Sequence, residues 1–178
     1  MYKRQDLPLP SLPLSPYALE KANNERYADL YARLFGIPSL GLRYFNVYGV
    51  RQDPSSPYSG VISKFVSAFL QNKSVKIFGD GRQSRDFISV KDVARANLLA
   101  LESDKQGAMN IATGLAETLL DLVNYIEIAG NRSLAVEFLT ARSGDILQSY
   151  AKTDRAKMQL GFCYEERLAQ GIKELVID

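Results

Sequence analysis

Apolar positions along this chain recur at two periods, and the points where one gives way to the other outline its elements. Ser15 suits a helix N-cap, Pro16 the first helical position and Gly36 the C-cap, which predicts a helix from Pro16 to Phe35. Residues 37–49 read as a buried strand running into a polar loop, and residues 51–58 as a long loop able to carry binding groups. Residues 61–71 have helical spacing, with Val61, Phe65, Ala68 and Phe69 on one side. A strand over 75–78 stops at Gly79-Asp80-Gly81, and a short strand over 87–90 precedes a helix over 91–101. Residues 109–112 form another buried strand, followed by an amphipathic helix over 117–129, with Thr118 near its start and Gly130 closing it. Residues 135–139 alternate as a strand, and two short helices follow, over 153–160 (closed by Gly161) and 164–176. Pro8, Pro10 and Pro13 make residues 1–15 an extended surface loop. The alternation of strands and helices predicts an α/β fold.

Composition narrows the function. The 178 residues are enough for a real hydrophobic core, and 46% hydrophobic with 24% charged residues is ordinary for a globular chain. A net charge of +2, from 22 basic and 20 acidic residues, gives no reason to expect nucleic-acid binding. Cys163 is the single cysteine and there is no histidine, so an internal disulfide, a zinc site and a histidine-based triad are excluded. A lone cysteine fits a reducing compartment, and no apolar run approaches a membrane span, so a cytoplasmic location is expected, with no membrane partner.

The chemistry lies first in Ser15-Pro16-Tyr17-Ala18-Leu19-Glu20-Lys21. Tyr17 and Lys21 stand four residues apart, on one helix face. An ammonium beside a phenol favours the phenolate, which makes the tyrosine usable as a base near neutrality. Tyr-x-x-x-Lys is common by chance. Three further runs follow it in order: Leu42-Arg43-Tyr44-Phe45-Asn46-Val47-Tyr48-Gly49, Ser84-Arg85-Asp86-Phe87-Ile88-Ser89-Val90 and Arg142-Ser143-Gly144-Asp145.

With these four motifs the chain resembles the extended short-chain dehydrogenase/reductase family, among the NAD-dependent epimerases and dehydratases, and is most similar there to UDP-glucose and UDP-N-acetylglucosamine 4-epimerases. The resemblance implies the C-terminal part of a doubly wound parallel (Rossmann-type) sheet plus a smaller α/β lobe that closes over the sugar nucleotide. Residues 1–58 would be a remnant of the Rossmann domain, and residues 59–178 mainly the substrate lobe, with some segments returning to the sheet. No G-x-x-G-x-x-G run occurs in the chain. The cofactor pyrophosphate site, and the serine or threonine that assists the tyrosine, are therefore expected in an N-terminal half preceding these residues, with Met1 not the natural start. A half-sheet would expose a strand edge and apolar helix faces, so the isolated chain is expected to be poorly soluble or partner-dependent.

The resemblance also implies residue roles. Tyr17 is the general base and acid, and Lys21 assists it and holds the nicotinamide ribose of NAD. Tyr44 and Phe45 lie at the nicotinamide end. Asn46, Arg85 and Arg142 hold the substrate diphosphate, arginine forks matching phosphate oxygens two-pronged. Asp145 takes ribose hydroxyls, Val61 and Ile62 offer backbone groups to uracil, and Phe78 borders the base. An Arg85–Asp86 or Arg142–Asp145 pair of purely structural meaning competes with the ligand roles. Val50, Ser63 and Ser89 depart from the family's usual residues, which leaves the sugar subclass open. The implied function is NAD-dependent epimerisation of a UDP-hexose at C4 through a 4-keto intermediate, in a homodimer. A 4,6-dehydratase, a UDP-glucuronate decarboxylase or epimerase, and a non-catalytic sugar-nucleotide-binding module remain the alternatives.

Overall fold

A computed structural model describes residues 16–56, 58–142 and 144–177. Its first element is α1 (Pro16–Phe35), whose inward positions Ala18, Ala22, Asn23, Glu25, Ala28, Leu30 and Ala32 are mostly alanine, which allows a close approach to the sheet. Gly36, at φ 63°, ends it in the left-handed conformation, as expected of a C-cap glycine. The predicted Ser15 N-cap lies outside the described residues.

Residues 37–49, expected to be a buried strand running into a polar loop, hold two strands. β1 (Leu40–Tyr44) runs parallel to β6 (Gly107–Ile111), and β2 (Asn46–Tyr48) runs parallel to β5 (Phe87–Ser89). The partner changes at Phe45, whose N–H still donates to Ile111, whereas the N–H of Asn46 donates to Asp86. Between them lie α2 (Val61–Leu70) and β3 (Val75–Phe78). α3 (Val90–Leu101) starts from Ser89, whose side chain accepts from the N–H of Lys91. Ser89 thus contributes a helix cap.

Two pieces were not visible in the periodicity. β4 (Ser84–Arg85) pairs antiparallel with β7 (Glu117–Thr118) and parallel with β9 (Gln148–Ser149), in a three-stranded sheet of two-residue strands. β7 takes the residues expected to begin the next helix, so α4 spans Leu119–Gly130, with Thr118 and Asp121 forming a capping box. Gly130 is inside α4 and does not close it. Its missing side chain leaves room for the Phe69 ring, and Asn131, at φ 49°, makes the left-handed C-cap.

β8 (Val136–Leu139) pairs parallel with β3, and α5 (Asp154–Leu160) ends at left-handed Gly161 as expected. The last helix, α6 (Leu168–Ile177), starts four residues later than expected. The N–H groups of Glu165 and Glu166 donate instead to the buried carboxylate of Asp92, which holds that segment out of the helix.

Two main clusters form the interior. One joins Tyr48, Ile62, Phe65, Phe69, Leu122, Ile126, Leu168 and Ile172, between α2, α4 and α6. The other, with Ile88, Ala96, Met109, Ile111 and Phe162, lies under β1 and α3. Each fully buried Ile or Phe contributes roughly 1.5–3 kcal/mol by leaving water. On α1, by contrast, Tyr27, Tyr31, Leu34 and Phe35 are exposed, and among the described residues β1 has β6 as its one strand partner. No described helix is long and apolar enough to cross a membrane, and no cluster of three metal-binding side chains occurs among the described residues.

Candidate active site

Helix geometry places Tyr17 and Lys21 one turn apart, and the Lys21 Nζ stands 5.3 Å from the centre of the Tyr17 ring. Tyr17 is 65% exposed, so its hydroxyl is open to an incoming molecule. One turn further along, Glu25 accepts two hydrogen bonds from Arg43 of β1, from Nε and Nη2, both at 2.6 Å. Those bonds raise the Arg43 guanidinium above its ordinary value, against the lowering effect of burial.

Successive strand residues point to opposite faces. Arg43 reaches α1, while the hydroxyl of Tyr44 donates to Asn97 Oδ1 on α3 at 2.8 Å. The Tyr44 side chain is therefore committed to the face away from α1. Phe45 is buried with Ala112 and Ala151.

Asn46 follows at the strand's change of partner. Its backbone N–H and its side-chain Nδ2 both donate to the Asp86 carbonyl, at 3.0 and 2.8 Å. That double bond fixes Asn46 beside the segment bearing Arg85. Strand ends that part company in this way leave a crevice of the kind in which ligands bind in α/β sheets.

Arg85 and Asp145 meet across β4 and the chain leading into β9. Arg85 Nη2 lies 3.1 Å from Asp145 Oδ1, and Nη1 donates to the carbonyls of Ser84 and Ile146. Neither pairing considered from sequence is present: Arg85 pairs with Asp145 and not with Asp86, and Arg142 stacks on the Phe78 ring with its guanidinium carbon 3.6 Å from the ring centre. Four predicted ligand residues are thus gathered around the ends of β3 and β4. Val61 and Ile62 open α2. The Ile62 side chain is core, at 2% exposure, Val61 is half-buried, and N-cap Gly60 supplies no side-chain cap to the backbone N–H groups there.

Sequence reasoning did not find the role of Asp86. Fully buried, its carboxylate accepts from the Thr113 N–H and hydroxyl, the Gly114 N–H and the Ala151 N–H. Burial raises its carboxyl above the usual carboxylate range, outweighing the donors that lower it. Through carbonyl and carboxylate together, Asp86 ties Asn46, the turn after β6 and the chain after β9 into one frame. Its place beside Arg85 in the third motif was the one available signal.

Residues 3–112 match the model of the NAD dependent epimerase/dehydratase family. The chain is 45% identical over 168 residues to a putative UDP-glucose 4-epimerase of Methanocaldococcus jannaschii, covering 94% of this chain and 54% of that protein. Among solved structures it is similar to the UDP-N-acetylglucosamine 4-epimerase of Methanobrevibacter ruminantium in complex with UDP-N-acetylmuramic acid, at 40% identity and a TM-score of 0.88, over 97% of this chain and 57% of that one. It is also similar to the UDP-glucose 4-epimerase of Thermotoga maritima with UDP-glucose, at 37% identity and a TM-score of 0.88, over 93% and 53%. The chain spans about half the length of the curated relatives it matches.

Proposed function

The chain belongs to the NAD-dependent epimerase/dehydratase family, and from that premise we propose that it is the C-terminal part of an enzyme that inverts C4 of a UDP-hexose. The observation that carries this reading is the exposed Tyr17 with Lys21 stacked beside it, at the edge of a fold that keeps Asn46, Arg85, Arg142 and Asp145 in one frame. In this reading β1, β2, β5 and β6 belong to a doubly wound sheet begun by an N-terminal half, and residues 59–178 supply most of the sugar-nucleotide lobe. The assembled enzyme is a homodimer.

The residues present fit the nicotinamide end of NAD, because Tyr17 and Lys21 are side by side and open. No glycine-rich pyrophosphate loop is among them. NAD, when bound, supplies a hydride acceptor for C4 and gives the hydride back. Lys21 would hold the nicotinamide ribose, and Tyr44 and Phe45 would lie at the nicotinamide end.

Tyr17 Oη takes the proton of the sugar 4-hydroxyl as C4 is oxidised to a ketone, keeps it while the 4-keto sugar turns over, and returns it when C4 is reduced on its opposite face. Asn46, Arg85 and Arg142 grip the diphosphate throughout that rotation. Asp145 passes from Arg85 to the ribose hydroxyls as the diphosphate arrives. Phe78 borders the uracil, and the α2 backbone at Val61 and Ile62 hydrogen-bonds it.

The test is Tyr17→Phe in the full-length protein with NAD. We expect kcat to fall by about 10³-fold with UDP affinity retained. Equal loss of turnover and of UDP binding would overturn the assignment. Full turnover in the variant would favour a different base.

A further inference from the structure

We infer that Glu25 and Arg43 are positioning residues, a two-pronged strut that sets α1, and with it Tyr17, against the strand that ends in Asn46. The inference rests on the proposed role of Tyr17 and deepens it.

Three observations carry it. Among the described residues α1 buries one side chain, Ala22, and its half-buried positions are mostly short: Ala18, Asn23, Ala28 and Ala32, with Glu25 and Leu30. The Glu25–Arg43 pair is two-pronged at 2.6 Å on both arms and three-quarters or more shielded from water on each side chain, unlike the mostly exposed Asp29–Arg33 pair on the same helix. The pair also joins two motifs, because Tyr17, Lys21 and Glu25 follow at successive turns of α1, and Arg43 immediately precedes Tyr44-Phe45-Asn46.

The lever is short and stiff. Tyr17 lies eight residues from the strut, about 12 Å along the helix axis at ~1.5 Å per residue. A tilt of only ~5° about the strut displaces the phenol by ~1 Å, and a displacement of about that size can cost a reaction 10²-fold. A planar fork resists such a tilt, because both arms must stretch together. Lysine at position 43 keeps the charge and loses the fork.

The experiment uses the full-length protein carrying this chain, with NAD and a UDP-hexose, and compares Glu25→Gln, Arg43→Lys, the reversed pair Glu25→Arg/Arg43→Glu, and Tyr17→Phe. Two readouts are taken: kcat and KM, and amide hydrogen exchange along residues 16–35 without substrate. The strut predicts that Glu25→Gln and Arg43→Lys each lower kcat by about 10²-fold with KM unchanged. It also predicts faster exchange in α1 alone, with β6 and α4 as protected as before, and recovery of most of the kcat in the reversed pair.

Unchanged α1 exchange in the single variants overturns the inference, as does a loss in KM equal to that in kcat. Faster exchange with kcat intact overturns it too, provided that Tyr17→Phe abolishes turnover. If Tyr17→Phe retains turnover, the assignment of Tyr17 fails instead, and the exchange data alone then decide whether Glu25 and Arg43 hold α1.

Discussion

Around Tyr17 the polar groups face outward, whereas between β3 and β9 nearly every one already has a partner. Tyr17 and Lys21 stand open on a helix with one buried residue. Arg85 is paired with Asp145, Arg142 is stacked on Phe78, and the Asp86 carboxylate accepts four hydrogen bonds from two segments. The difference teaches how the two regions divide the work. On the proposed reading, the region that would take the nucleotide is preassembled and would need its ligand only to exchange partners, while the tyrosine side depends on a few contacts for its alignment.

The comparison is broken most severely at Asp86. Asp86→Ala leaves four donors without their acceptor and should destabilise the fold by about 3–5 kcal/mol, measured by urea unfolding. A loss below about 1 kcal/mol would mean that the frame around Arg85 is not held from this carboxylate. Asp86→Asn sharpens the same point through pH. Burial lifts the folded carboxyl above its unfolded value of about 4, so the native state binds more protons than the unfolded chain in that window. The group's stabilising share is then complete below about pH 4 and is lost as pH rises through the folded value. The stability gap between the natural protein and Asp86→Asn should therefore narrow from pH 4 towards neutrality.

Arg85→Lys comes next. It removes the fork that meets Asp145, Ser84 and Ile146, and UDP affinity should weaken by about 2 kcal/mol in a calorimetric titration. Unchanged affinity would move the diphosphate elsewhere. The smallest effect belongs to Asn97→Ala, on the face of β1 away from α1. Losing the Tyr44 hydroxyl's acceptor and the bond to the Val93 carbonyl should cost about 1 kcal/mol of stability, with turnover unchanged. A collapse of turnover would show that the Tyr44 side chain serves the tyrosine side after all.

How much of this was legible depended on whether the determining contacts were local. Pro16–Phe35 and Val75–Phe78 were readable because caps and alternation lie within the segments themselves. β4, β7 and β9 were not, since two residues carry no period and their pairing joins Ser84 to Thr118 and Gln148. The late start of α6 was equally hidden, because it is imposed by Asp92, far earlier in the chain. Gly130 looked like a stop signal, but the Phe69 ring needed its bare backbone. The site followed the same rule. Tyr17 beside Lys21 follows from helix geometry alone, whereas the pairing of Arg85 with Asp145 and the hub at Asp86 needed the tertiary fold.

The contact between Tyr48 and Gly171 bears on how the chain is made. Glycine there leaves room for the phenol, and Tyr48 shares a cluster with Leu168 and Ile172 of the last helix. Closing so long a loop is entropically slow, and chains rich in such distant contacts fold slowly. During synthesis the faces of α2 and α4 that this helix covers emerge first and stay wet until residues 168–177 have left the ribosome. The core is therefore closed only once that helix has emerged, and until then its bare apolar wall is a surface for a chaperone to shield.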